Sequence, residues 1–197
     1  MIRTTLLRLS LLASLGALAA VVPQTLAAQQ SHPVDIGGTF TYVRTNIVSG
    51  CNCFDTFGGS GEVQIGLSPH LAILGDVTAT HKGDITAAHY ALTQTVFTAG
   101  LRYTPVAASL RFHIQPFGDL LVGGAYTSGS LSPSNTGYGS ARTFAFQTGG
   151  GLRMPIGHRL SIVPVQAEYL LTTFGNGGDD RQNDLRLSTG LLVNLHR

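Results

Sequence analysis

The chain has 197 residues, of which 11% are charged, 25 are glycine and none is tryptophan; an ordinary soluble domain carries roughly 25% charged residues. Twelve basic residues face ten acidic ones, and two of the basic residues, Arg3 and Arg8, fall in an amino-terminal leader, so the remainder has a net charge of about zero. Without a basic stripe, a zinc-finger spacing or an RNA-type aromatic motif, nucleic acid is not an expected partner. No apolar stretch after residue 30 approaches the roughly 18 residues a membrane helix needs.

Met1 to Arg8 is short and basic, and Leu11 to Val22 is an apolar run rich in alanine and leucine. Small residues follow at Thr25, Ala27 and Ala28. This order of basic, apolar and small segments reads as a secretory signal peptide over 1–28. Cleavage after Ala27 keeps Thr25 three positions back, whereas cleavage after Ala28 puts Leu26 there. Residues 29–197 then form one domain by length.

From Val34 onward apolar and polar residues alternate. Successive side chains of a strand point to opposite faces, so each such run has one oily and one wet face. The first predicted strand, Val34 to Thr45, sets Val34, Ile36, Phe40 and Tyr42 on one face. The second, Gly61 to Leu67, opposes Val63, Ile65 and Leu67 to Glu62 and Gln64. The third, Leu71 to His81, opposes Leu71, Ile73, Val77 and Ala79 to Asp76, Thr78 and Thr80. The fourth, Ala91 to Tyr103, opposes Phe97, Ala99, Leu101 and Tyr103 to Gln94, Thr98 and Arg102.

The fifth, Arg111 to Tyr126, sets Phe112, Ile114, Leu120, Val122 and Tyr126 against Arg111, His113, Gln115 and Asp119. The sixth, Ala141 to Met154, sets Phe144, Phe146, Leu152 and Met154 against Thr143, Gln147 and Arg153. In the seventh, Arg159 to Phe174, the parity of Leu160 and Ile162 differs from that of Val165, Ala167, Tyr169 and Leu171. A bulge near Val163 and Pro164 reconciles the two. In the last run Leu185, Leu187, Leu191, Val193 and Leu195 share one face opposite Arg186, Ser188 and Asn194.

Short connections at Ser68–His70, Pro105–Leu110 and Pro155–His158 alternate with longer ones at Asn46–Ser60, Lys82–Tyr90, Thr127–Ser140 and Gly175–Gln182. Eight strands joined long, short, long, short predict an all-β, eight-stranded antiparallel up-and-down barrel. If its oily face is outside, it is a transmembrane barrel with both termini and the short turns in the periplasm and long loops outside the cell.

The wet face carries Glu62, Asp76, Asp119 and Glu168 against Arg102, Arg111, Arg153 and Arg186. Four acids and four arginines are few for a solvated exterior but suit a lumen just wide enough for side chains. Phe40, Tyr42, Tyr103, Phe112, Tyr126, Phe144, Tyr169 and Phe174 would supply interfacial girdles. A soluble lipocalin-type barrel, oily inside, would show many Lys and Glu on the wet face; glutamine, threonine and glycine stand there instead.

Val165-Gln166-Ala167-Glu168-Tyr169-Leu170-Leu171-Thr172, a glycine-rich loop, and Gln182-Asn183-Asp184-Leu185-Arg186-Leu187-Ser188-Thr189-Gly190 resemble the last hairpin of the small eight-stranded outer-membrane β-barrel family, of the OmpA transmembrane-domain and OmpX type. The resemblance implies an outer-membrane location, a place for Glu168 and Arg186 in the lumen network, and insertion by the barrel machinery. Such barrels usually end in an aromatic residue, whereas this chain ends Leu195-His196-Arg197. Lipid and lipopolysaccharide are expected partners, with a ligand at the loops; no cofactor or metal is expected.

Other chemistry is weaker. Cys51-Asn52-Cys53 sits in the first long loop, where an oxidising exterior makes a loop disulfide a candidate, strained at this spacing. Two thiolates alone make an incomplete metal site. Seven histidines invite a lipid A-modifying hydrolase, which needs a serine with a base in hydrogen-bond reach. His81 and His89 flank the second loop and Ser161 follows His158, but neither pairing puts Ser and His two apart on one strand face, so no enzyme is expected. Gly123-Gly124 and Gly149-Gly150-Gly151 lack the helix and lysine of a phosphate loop; in strands they let another backbone approach. Asp179 and Asp180 read as a solvated loop. The expectation is a barrel with a side-chain-plugged lumen and a structural or surface-interaction role. A small porin-like channel, a lipocalin-like binder and a lipid A-modifying enzyme are the alternatives.

Overall fold

The computed structural model describes residues 33–45, 47, 53–85, 89–105, 114–131, 136–175 and 180–195. The expected signal peptide and its cleavage site lie outside them. Eight strands follow one another: β1 (Val34–Thr45), β2 (Phe54–Gly66), β3 (Leu71–Lys82), β4 (Tyr90–Tyr103), β5 (Gln115–Leu131), β6 (Thr136–Pro155), β7 (Leu160–Thr172) and β8 (Gln182–Asn194). Each pairs antiparallel with its sequence neighbours, and β1 pairs with β8 to close the barrel. Closure leaves no sheet edge along the seam, where Gly38 stands opposite Leu191 and Val43 opposite Arg186.

The oily face is outside. Phe40 is 58% exposed, Leu120 54% and Leu191 50%, whereas Glu168 is 1% and Arg186 2% exposed. Every strand repeats this inversion of a soluble core: apolar residues such as Ile36, Val63, Ile73, Val77, Phe97, Leu101, Val122, Phe144 and Leu187 stand on the exterior. In water that surface would be a very large exposed apolar patch; against hydrocarbon it is the required one.

Three strands run further than the alternation indicates. β2 begins at Phe54 rather than Gly61, β5 continues to Leu131 and β6 starts at Thr136. Most of the added residues are glycine, serine and threonine, which carry little apolar signal yet pair in register, Thr45 with Phe54 and Ser128 with Ser140. The longer β5 and β6 narrow their connection to 132–135, while the later start of β5 widens the β4–β5 connection to 104–114. The contrast in loop length is therefore weaker than expected. The expected β5 residues Arg111, Phe112 and His113 lie outside the described residues, and the strand starts at Gln115.

The irregularity in β7 falls where the parity changes: its register with β8 shifts between Val163 and Gln166, around Pro164. The glycines of β6 have a steric reason. A Cβ on Gly149 would stand 2.3 Å from the Ala167 carbonyl oxygen, and one on Gly150 2.3 Å from that of Phe117. Only glycine lets the strands of so narrow a barrel coil this closely.

Candidate functional site

The barrel interior holds the polar chemistry. Arg102, from the turn end of β4, donates from Nε and Nη2 to Asp119 at 2.8 and 2.9 Å and from Nη1 and Nη2 to Glu62 at 2.9 and 3.2 Å. Nη1 also reaches Gln64 Oε1 at 3.1 Å. The register accounts for part of this, since Arg102 stands directly opposite Asp119. Its guanidinium carbon lies 4.1 Å from the centre of the Phe117 ring, so the planar cation has carboxylates at its edges and an aromatic face.

Arg186 makes the second cluster. Nη1 and Nη2 donate to the two Asp76 oxygens at 2.8 and 3.1 Å, Nη2 also donates to Ser60 Oγ at 2.9 Å, and Nε stands 3.4 Å from Glu168 Oε2. Gln147 Nε2 donates to the other Glu168 oxygen at 2.8 Å, and Gln166 Nε2 to Asp119 at 3.2 Å. On β2, Arg102 reaches Glu62 and Gln64 whereas Arg186 reaches Ser60, so the second cluster sits nearer the long loops. Each guanidinium thus lies between two carboxylates, and all six side chains are nearly fully buried.

A third pair marks the short-turn end. Arg153 donates from Nη1 to Asp35 at 2.6 Å and from Nε to Ser161 at 3.1 Å, and Asn194 Nδ2 donates to the other Asp35 oxygen at 2.7 Å. Arg153 is one-fifth exposed. It opens onto a cavity of about 390 Å³ that is also lined by Gln64, His70 and Gln115.

Apolar side chains close the interior on both sides of the ion pairs. Phe117, Val163 and Leu192 pack together at the short-turn end. Ile47, Val96, Ala125, Ala145, Leu170 and Phe174 pack toward the long loops. Phe174 was expected in an outer aromatic girdle, but it is 4% exposed and points inward. It continues the parity of Glu168, Leu170 and Thr172, which face inward, rather than that of the outward Tyr169. On the exterior, Phe40, Tyr42, Phe57, Phe97, Tyr126 and Phe144 are arrayed toward the loop end, with Phe57 touching both Phe40 and Tyr42.

Of the eight residues expected to line the lumen, the structure thus places Glu62, Asp76, Arg102, Asp119, Arg153, Glu168 and Arg186 inside, in three ion-paired groups; Arg111 lies outside the described residues. Asp35 was missed, though it alternates with Val34 and Ile36 and was readable from that pattern. Phe117 was missed because it is an apolar residue on a wet parity. Cys53 is exposed and carries a free thiol, so no bridge is seen at it; Cys51 lies outside the described residues. His81 Nδ1 stands 3.0 Å from Thr93 Oγ1, and His89 Nδ1 2.7 Å from Asp84 Oδ1. Asp84 and His89 are both left-handed, at φ 63° and 57°, and frame the β3–β4 loop with their own contact. Ser161 is occupied by Arg153.

A closed eight-stranded barrel with an apolar exterior and an ion-paired interior defines an integral outer-membrane β-barrel protein. Residues 10–191 match the outer membrane protein beta-barrel domain, and the chain belongs to that family. No curated protein matches the sequence. Among solved structures it is similar to Neisserial surface protein A (13% identity, TM-score 0.61, covering 81% of this chain and 96% of that one). It is similar to Ail, the attachment invasion locus protein of Yersinia pestis (15% identity, TM-score 0.55, 82% and 98%). It is also similar to OprG of Pseudomonas aeruginosa (11% identity, TM-score 0.51, 84% and 97%). At these identities the likeness is one of fold.

Proposed function

We propose that this protein is an occluded barrel that acts in the envelope as a rigid mount for its long loops, in a structural or attachment role, and not as a pore or an enzyme. One observation carries the reading: Arg102 and Arg186 each hold two carboxylates from facing strands, between apolar clusters at both ends. In an eight-stranded barrel such side chains fill the cross-section. Recognition then belongs to the loops, which vary on a fixed scaffold. One relative is named for attachment and invasion, and it has been solved in complex with a heparin analogue. In this reading residues 1–28 are removed on export, the barrel machinery inserts the remainder, both termini face the periplasm, and outer-membrane lipid surrounds the wall.

Planar-bilayer recording of the purified barrel tests this. The wild type is expected to give no steady conductance steps, and the Arg102→Ala/Arg186→Ala double variant to give them. Regular steps from the wild type would favour the small-channel reading. Exchange of the four loops between this barrel and an inert one, followed by cell or matrix adherence, tests whether the loops carry attachment.

A further inference from the structure

The exterior is not uniformly bulky. On β2 to β5 the outward positions Gly61, Gly75 and Ala99 lie among Val63, Val77, Phe97 and Val122, leaving a groove of about 450 Å³ lined almost wholly by carbon. On the other side of the Phe97 ring, outward Gly124 opens a second recess of about 390 Å³, bounded by Phe97, Tyr126 and Arg142. The glycines here differ from those of β6. A Cβ on Gly75 would meet nothing within 4 Å, and one on Gly124 only the Thr143 carbonyl oxygen at 3.4 Å. Packing within the barrel therefore does not require them to be glycine.

The charge above this groove is also particular. Arg142 stands opposite Tyr126 at the loop-side edge of the apolar band, with its guanidinium 5.7 Å from the Tyr126 ring centre. Arg44, also outward near that edge, is neutralised by Asp55 at 3.2 Å. Arg142 has no carboxylate within ion-pairing distance among the described residues. A fixed, uncompensated guanidinium at the boundary of hydrocarbon suits a phosphate, and the carbon-lined groove running from it into the band suits an acyl chain.

We propose that this face seats one phosphorylated, acylated lipid of the outer leaflet, with its phosphate on Arg142 and an acyl chain lying over Gly124, Phe97 and Gly75. The inference rests on the lipid-facing reading of the exterior and adds a specific occupant to it.

Native mass spectrometry tests it, with the refolded barrel in detergent and three probes: bis-phosphorylated lipid A, the same lipid with its phosphates removed, and phosphatidylcholine. The wild type is expected to retain one phosphorylated lipid A about tenfold better than the dephosphorylated form, the size of effect one charge-assisted contact gives. Arg142→Gln should abolish that preference, and Gly75→Leu and Gly124→Leu should lower retention of both forms. A heat-shifted gel band in each variant shows that the barrel still forms, separating failure of the seat from failure of the membrane fold. Equal retention by wild type and Arg142→Gln would overturn the proposal, leaving only non-specific surrounding lipid. So would wild-type dimers that Gly75→Leu abolishes, since the groove would then be a contact between copies.

Discussion

Arg102 lies 4.1 Å from the ring centre of Phe117, and it is the only described cation seen over an inward-facing aromatic ring. Its other donors hold Glu62 and Asp119. Removing it leaves two buried carboxylates without a counter-charge, which typically costs about 3–5 kcal/mol. Arg102→Ala should lower the unfolding free energy of the vesicle-inserted barrel, read from a urea titration, by that amount. Arg153→Ala should cost less, about 1–2 kcal/mol, because its site is part-exposed and Asp35 keeps the Asn194 bond. An Arg153→Ala effect as large as that of Arg102→Ala would contradict this order.

Asp76 and Arg186 come from β3 and β8, 110 residues apart, yet share two hydrogen bonds. A double-mutant cycle of Asp76→Asn and Arg186→Gln should give a coupling of about 0.5–3 kcal/mol. Additive single effects would mean that the pair does not bear on stability.

The two faces should respond oppositely to polarity. Leu187 faces outward in the middle of β8, and Leu187→Lys is expected to destabilise the inserted barrel by about 2–4 kcal/mol. Thr98 faces inward and its buried hydroxyl finds no hydrogen-bond partner among the described residues. Thr98→Val should therefore be neutral or slightly stabilising in the same urea titration. The reverse pattern would turn the barrel inside out.

A Cβ on Gly123 would stand 1.9 Å from the Phe97 carbonyl oxygen, whereas Gly75 has open space. Gly123→Ala should strongly reduce the heat-modifiable folded band after refolding, and Gly75→Ala should leave it intact. Equal yields would show that the β4–β5 pairing yields more readily than the geometry implies.

How much of this is legible in the chain depends on where apolar residues happen to stand. β1 spans Val34 to Thr45 in both sequence and structure because Val34, Ile36, Phe40 and Tyr42 hold one parity along most of it. The first part of β2 is lost to sight in Phe57-Gly58-Gly59-Ser60, where glycine is demanded by the approach of β3 and carries no hydrophobic signal: a Cβ on Gly58 would meet the Ala79 carbonyl oxygen at 1.9 Å. The identity of the inward charges follows from parity, but their partners do not. Arg153 meets Asp35 across 118 residues, and Arg186 meets Asp76 rather than standing with Glu168 alone. Those pairings depend on the stagger of a closed sheet, which periodicity along single strands does not encode. Phe117 shows the same limit, since an aromatic on the wet parity makes sense only once Arg102 is above it.

The seam between β1 and β8 makes the last strand a latch. Until β8 arrives, Asp76 and Glu168 lack the guanidinium of Arg186, and Asp35 lacks Asn194. An unclosed sheet of the first seven strands would carry bare carboxylates along its inner surface and two raw edges, both hostile to hydrocarbon. Moving such an intermediate into the bilayer is disfavoured by its own interior, so sealing the cylinder and entering the lipid are coupled through the docking of the last strand.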